Sequence, residues 1–120
     1  MTRRVLLVDD DPDLLALLRV AFNLSGGWEI SVADGAARAV ERLGEVQLDV
    51  IITDGDLGDG SGDDVLAAAD GVPVVLLSGS VDAPPDTLHP HPSFAAAISK
   101  PFNPMALPAL IGRLLEGASR

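Results

Sequence analysis

Aspartates crowd two places in the chain. Asp9, Asp10, Asp11 and Asp13 form one group, and Asp54, Asp56, Asp59, Asp63 and Asp64 form another. A single lysine, Lys100, is set against them. The residues of interest follow short apolar runs: Asp9 and Asp10 after Val5–Val8, Asp54 after Leu48–Ile52, Ser78 after Val74–Leu77, and Lys100 after Ala96–Ser99. If those runs are strands whose ends converge, three carboxylates, a hydroxyl and an ammonium share one edge. Like charges that close cannot all stay ionised without a counter-charge. A hard divalent cation supplies it, and Mg2+ takes carboxylates, waters and phosphate oxygens. One carboxylate can then act as nucleophile toward a phosphoryl group. The lysine and the metal would neutralise the transferring oxygens. The serine hydroxyl can meet a phosphoryl oxygen that does not exist before transfer, which turns a local charge change into a loop movement.

Each residue also has a plainer reading. Asp9-Asp10-Asp11 before Pro12 can simply cap a helix and complement its dipole. Asp54 alone can be a loop aspartate like Asp59 or Asp63, Ser78 a turn residue, and Lys100 a solvated lysine. Asp63 and Asp64 suit the first turn of a helix, and Arg3 and Arg4 suit a solvated surface. His89 and His91 lie among prolines and carry only a weak suggestion of metal or phosphohistidine chemistry. What favours the chemical reading is the combination of Asp9, Asp10, Asp54 and Lys100.

The elements that must position these residues alternate between strand and helix. Strands are expected at Val5–Val8, Trp28–Val32, Leu48–Ile52, Val74–Leu77 and, more weakly, Ala96–Ser99. Asp11-Pro12 reads as the cap and first position of a helix that Gly26-Gly27 ends. Asp34 is expected to cap a second helix with Ala36, Ala39, Val40 and Leu43 on its apolar face. A short helix follows from Asp63 to Ala69, after a glycine-rich loop from Asp54 to Gly62. Asn103-Pro104 opens the last helix, with Pro108 either at its start or kinking its first turn. Such alternation implies parallel pairing with helices on both faces, and nearly continuous apolar strands agree. Five strands in this order fit a flavodoxin-like doubly wound α/β sheet of order 2-1-3-4-5, with its site beyond the carboxyl ends of the strands. Pro84, Pro85, Pro90 and Pro92 lie between the fourth and fifth strands. Proline inside a helix costs about 3 kcal/mol, so an irregular loop or a single turn is expected there.

Composition narrows the function. The chain has 120 residues, enough for one domain with its own core, and is 48% hydrophobic. Its net charge of -10 repels phosphate backbones, so direct nucleic-acid binding is disfavoured. Four aromatic side chains, Phe22, Trp28, Phe94 and Phe102, do not make a stacking platform for single strands. The absence of cysteine excludes thiol catalysis and thiolate metal sites. No apolar run reaches the roughly 20 residues of a membrane helix, and the aspartates after Val8 rule out a secretory apolar region. A cytoplasmic location is expected.

The ordered motifs Val-Leu-Leu-Val-Asp-Asp-Asp-Pro (5–12), Asp-Val-Ile-Ile-Thr-Asp (49–54), Pro-Val-Val-Leu-Leu-Ser-Gly (73–79) and Ser-Lys-Pro-Phe (99–102) resemble the receiver domain of two-component response regulators. The resemblance spans residues 1–120 as a single receiver domain. It implies that Asp54 is the phosphoacceptor and that Mg2+ is held by Asp54, directly by Asp10, largely through water by Asp9, and by the backbone carbonyl of Asp56. Ser78 takes the place of the switch hydroxyl and Lys100 that of the site lysine. A histidine kinase or phosphotransfer protein would be the donor, and a homodimer is a further expected partner. Asp11 is not carried over as a ligand.

The pattern also departs from the family. Gly58 stands where proline is usual, although Gly62 matches the usual glycine. Ala97 stands where the switch aromatic is usual, and Phe94 lies three residues earlier. The segment from Gly62 to Pro73 leaves about two turns for the third helix, and the proline-rich segment replaces the fourth. A receiver-like docking or dimerisation domain with altered phosphorylation output is therefore an alternative. Asp54-Gly55-Asp56 also resembles the Asp-x-Asp motif of haloacid-dehalogenase-type phosphatases, but that motif usually sits in the first strand of a longer chain. A calcium-loop reading of Asp54 to Asp64 fails, because Asp59 stands where glycine is required. The chain is expected to be a stand-alone receiver or a piece cut from a larger protein, with Gly117-Ala118-Ser119 suited to a linker.

Overall fold

The computed structural model describes residues 2–79, 84 and 86–118. Five strands, β1 (Arg3–Val8), β2 (Trp28–Ala33), β3 (Val50–Asp54), β4 (Val74–Ser78) and β5 (Ala96–Ser99), form one sheet. All pairings are parallel and the order is β2-β1-β3-β4-β5, the doubly wound arrangement expected from the alternation of elements. Helices α1 (Pro12–Ser25), α2 (Ala36–Glu45), α3 (Gly62–Ala68) and α4 (Leu107–Ala118) flank it.

Side chains alternate across each strand, and the two faces build two cores. Val5, Leu7, Val50, Ile52, Val75, Leu77 and Ile98 point to the side where α1 contributes Leu15, Leu18 and Phe22 and α4 contributes Leu107 and Ile111. Leu6, Val8, Ile51 and Val74 point to the other side, against Ala36 and Ala39 of α2 and Val65 of α3. β1, β3 and β4 are thus apolar on both faces, as central parallel strands must be.

The helix starts follow from short-range chemistry, with one exception. The Asp11 carboxylate accepts the Asp13 N–H and Pro12 occupies the first position of α1. At the start of α3 the Asp64 carboxylate accepts the Ser61 N–H at 3.0 Å, and the helix spans seven residues, the two turns anticipated. Asn103 caps a single 3-10 turn, Pro104–Ala106, that leads into α4 with Pro108 in its first turn. The exception is α2. Asp34 does not cap it: the cap position is Gly35, which has no side chain, and the capping carboxylate comes from Asp59 in another loop. Val40 is also 46% exposed, so the buried stripe of α2 is narrower than its sequence suggests.

The third strand is shifted from its expected position. Leu48 and Asp49 fall before it and Asp54 belongs to it, because the ladder with β1 starts at Val5–Val50 and the ladder with β4 runs on to Asp54–Leu77. Between β4 and β5 no helix occurs among the described residues; residues 80–83 and 85, which include part of the proline-rich segment, and the linker-like Ser119 lie outside the description. What is described there is irregular. Asp86 sits in the left-handed region at φ 56°. His89 pairs with Ala97 by two backbone hydrogen bonds of 3.0 Å, so the outer edge of β5 is partly covered.

Candidate functional site

The carboxyl ends of β1, β3 and β5 meet, as a doubly wound sheet requires. Carboxylate oxygens of Asp9, Asp10 and Asp54 all lie within 4.8 Å of one another. Lys100, just past β5, places its ammonium 2.9 Å from Asp54 Oδ1. The Gly55 backbone N–H donates to that same oxygen at 2.8 Å. Both bonds end on Oδ1, which leaves Oδ2 of Asp54 without a donor among the described residues.

The three acids differ in setting. Asp9 is buried, Asp10 is exposed and Asp54 lies between. Asp9 Oδ1 accepts the Asp11 N–H at 2.9 Å, whereas Oδ2 is buried with no hydrogen-bond partner. Burial pushes the Asp9 carboxyl above the ordinary aspartate range, and the neighbouring charges of Asp54 and Asp10 add to the rise; the Asp11 N–H and Lys100 oppose it. A buried carboxylate oxygen with no partner is costly. An orphaned oxygen beside two further carboxylates is the donor set a hard, oxygen-seeking cation fits.

Ser78 closes β4, is buried, and pairs in register with Ser99. Its carbonyl accepts the Lys100 N–H at 2.8 Å, which ties the end of β4 to the lysine. Asp56 lies in the loop between β3 and α3, with its side chain accepting the Gly58 N–H at 3.1 Å. Asp11 is engaged as a helix cap. The structure therefore brings together Asp9, Asp10, Asp54 and Lys100, with Ser78 joined through the backbone and Asp56 one loop turn away.

Two glycines shape that loop. Gly58 has φ +78° and faces Asp10: a methyl there would stand 3.6 Å from Asp10 Oδ2. Proline, locked near φ −65°, cannot adopt that conformation, which accounts for glycine at this position. Gly62 sits directly under the site, where a methyl would come within 2.9 Å of the Asp54 carbonyl oxygen. Asp59 caps α2 although nothing local in the sequence marks it as the cap of a helix that begins 23 residues earlier. Two open clefts, of about 700 and 480 Å³, lie around Thr2, Arg4 and Gly27, at the other end of the sheet.

Ala97 and Phe94 are both buried. Phe94 packs into the core between the sheet and α2 and α3, with the His91 ring edge-on at 5.0 Å. His91 Nδ1 accepts the N–H groups of Ser93 and Phe94. Phe94 thus serves packing in this structure.

Comparison with known proteins matches residues 5–112 to the response regulator receiver domain family. Among curated proteins the chain is 31% identical over 114 residues to the DNA-binding response regulator MtrA of Mycolicibacterium smegmatis, covering 92% of this chain and 50% of that protein. It is 37% identical over 82 residues to the transcriptional regulatory protein KdpE of Mycobacterium tuberculosis, covering 66% of this chain and 36% of that one. The chain spans about half the length, or less, of these curated relatives. Among solved structures it resembles a CheY-like receiver domain protein from Methanospirillum hungatei, with TM-score 0.81, 21% identity and coverage of 99% and 98% of the two chains. It also resembles the chemotaxis response regulator CheY4 of Vibrio cholerae, with TM-score 0.78, 19% identity and coverage of 95% and 99%; these two likenesses concern the fold. The chain belongs to the response regulator receiver domain family of two-component systems.

Proposed function

We propose that Asp54 accepts a phosphoryl group from a histidine kinase or a phosphotransfer protein, in a reaction that depends on Mg2+. The observation that carries this reading is the convergence of Asp54 with Asp9 and Asp10 within 4.8 Å and with Lys100 at 2.9 Å. Lys100 and the Gly55 N–H hold Oδ1, so Oδ2 is the oxygen presented for attack. Oδ2 forms a bond to phosphorus while the bond from phosphorus to the donor imidazole nitrogen breaks. The electron pair leaves with that nitrogen, which takes a proton, and the product on Asp54 is an acyl phosphate.

Asp9, Asp10 and Asp54, with the backbone carbonyl of Asp56, would hold Mg2+. The ion supplies charge neutralisation for the phosphoryl oxygens. The Lys100 ammonium stays within reach of the oxygens that gain charge. Ser78, at the end of the neighbouring strand and bonded through its carbonyl to Lys100, would sense the new phosphoryl group. The chain's own chemistry in this reading is limited to gaining and losing that group, and a cytoplasmic setting follows from the kinase as donor. A phosphatase reading needs Asp56 as an acid/base, and its carboxylate is instead engaged by the Gly58 N–H.

Titration with beryllofluoride in the presence of Mg2+ tests the assignment. Amide resonances around Asp54, Ser78 and Lys100 should shift in the parent and not in Asp54→Ala. An equal response in both refutes it. A second reading, a docking or dimerisation domain with altered output, is favoured by Ala97, whose small side chain is buried and whose backbone is bonded to His89. Sedimentation with and without beryllofluoride separates the two, since a docking module would not change its self-association or partner binding.

A further inference from the structure

We infer that Asp59 is a positioning residue for the metal and phosphoryl site, an inference that rests on the reading of that site given above. The loop from Gly55 to Ser61 must hold two things in place: the Asp56 backbone, and the Gly58 backbone that faces Asp10. Several of its hydrogen bonds run within the loop or to the residue that ends it. Leu57 N–H donates to the Gly60 carbonyl at 3.0 Å, Asp59 N–H to the Leu57 carbonyl at 2.9 Å, and Gly62 N–H to the Gly55 carbonyl at 3.1 Å. Such bonds set the shape of the loop but not its position on the body. Position comes from the tie of the Ser61 N–H to Asp64 at the start of α3, and from two side chains. Leu57 is buried in the core under α2 and α3. Asp59 reaches across to the start of α2, where Oδ1 accepts the Ala36 N–H at 2.8 Å and Oδ2 accepts the Ala37 N–H at 3.1 Å.

These two N–H groups belong to the first turn of a helix, which has no internal partner for them. The cap residue of α2, Gly35, offers no side chain of its own. It also leaves room for the imported one: a methyl at residue 35 would stand 2.7 Å from Asp59 Oδ1. The N–H of Ala36, and after it that of Ala37, hold the Asp59 carboxyl below the ordinary aspartate range. Gly60 is pressed between α2 and α3 in the same way, since a methyl there would fall 2.8 Å from Ala36 Cβ. The start of α2 and the site loop are therefore fitted to each other at adjoining points, and the Asp59 carboxylate is the polar fastening.

Releasing it leaves the loop to populate positions in which Asp56 and Gly58 are misplaced. Apparent affinity falls by the fraction of the population that stays competent. Binding of MgCl2, followed by amide NMR shifts in the full chain, should weaken about three- to tenfold in Asp59→Ala. It should weaken less in Asp59→Asn, whose side chain retains one acceptor oxygen of the two. Gly35→Ala, which crowds the carboxylate and leaves residue 59 unchanged, should reproduce the loss. Hydrogen exchange at the Leu57 and Asp59 amides without Mg2+ should quicken in the same three variants. Glu41→Gly, in the exposed middle of α2, lowers the melting temperature while leaving Mg2+ affinity within about twofold of the parent, since it does not touch the loop. Parent-like Mg2+ affinity in both Asp59→Ala and Gly35→Ala, or an equal loss in Glu41→Gly, overturns the inference. A parent chain that binds no Mg2+ overturns the site reading itself, a result distinguishable from either.

Discussion

Replacing Asp9 by Asn should make the metal-free protein more stable and at the same time blunt its response to Mg2+. Asp9 is 2% exposed, and one of its carboxylate oxygens is buried without a partner. Its charge also faces two others at separations no greater than 4.8 Å. At an effective dielectric constant near 20, each such pair repels by roughly 3.5 kcal/mol before screening. Solvent around the exposed Asp10 and the Lys100 ammonium on Asp54 cancel most of that. Asparagine also keeps an acceptor for the Asp11 N–H but gives up the charge assistance, a loss of about 1 kcal/mol. The net gain should be about 1–2 kcal/mol, which for a domain of this size raises Tm by roughly 3–10 °C. Thermal melts at neutral pH with EDTA measure the gain, and melts in millimolar MgCl2 should show the parent rising and Asp9→Asn rising by clearly less. The pH dependence has a definite sign. The folded Asp9 carboxyl lies above its ordinary range, so its ionisation opposes folding. That penalty is present above the raised value and fades as pH falls through it toward the ordinary one. The advantage of Asp9→Asn over the parent should therefore shrink on acidification. A metal-free Asp9→Asn less stable than the parent, or a variant that keeps the parent's Mg2+ increment, would refute the reasoning.

Other perturbations read the same architecture. Lys100→Ala removes the ammonium 2.9 Å from Asp54; it should destabilise the metal-free chain by about 1–2 kcal/mol, with Mg2+ restoring part of the loss in thermal melts, and should slow phosphorylation by a small phosphodonor. Gly62→Ala drives a methyl to 2.9 Å from the Asp54 carbonyl oxygen; backbone cannot move away cheaply, so urea melts should show a loss of about 1–3 kcal/mol. Gly58→Pro installs the residue usual in the family at a backbone with φ +78° and deletes the N–H that Asp56 accepts; it should cost more than about 1 kcal/mol and weaken Mg2+ binding, both measurable by melts with and without MgCl2.

What could be read from the sequence was set by how far each signal travels along the chain. Asp11-Pro12 announced α1 because cap and first turn are neighbours, and Asp63 and Asp64 marked the first turn of α3, whereas its cap, Ser61, read only as part of the glycine-rich loop. Apolar runs located all five strands, and their alternation with helices gave the sheet order. The convergence of Asp9, Asp10, Asp54 and Lys100 then followed from topology. Boundaries fared worse where pairing decided them. Asp54 looked like a loop residue by its polarity, yet its backbone completes the ladder with β4. The cap of α2 was misplaced at Asp34 because the true partner, Asp59, is brought there only by the fold. Gly58 was legible as a departure from the family but not as a solution, since its positive φ is a property of the loop.

The same distinction bears on signalling. The residues proposed to bind and receive the phosphoryl group lie at strand ends, whose positions the parallel ladders enforce. In the proposed reading, the parts that would report the event lie between β4 and β5. There no helix occurs among the described residues of a proline-rich segment, and Ala97 is buried and paired with His89 on the outer edge of the sheet. A bulky side chain that swings between two positions needs space and freedom at residue 97. A methyl group held by backbone bonds on a strand already paired to β4 has neither. In the proposed reading, a response to phosphorylation at residue 97 would therefore move backbone rather than swing a side chain.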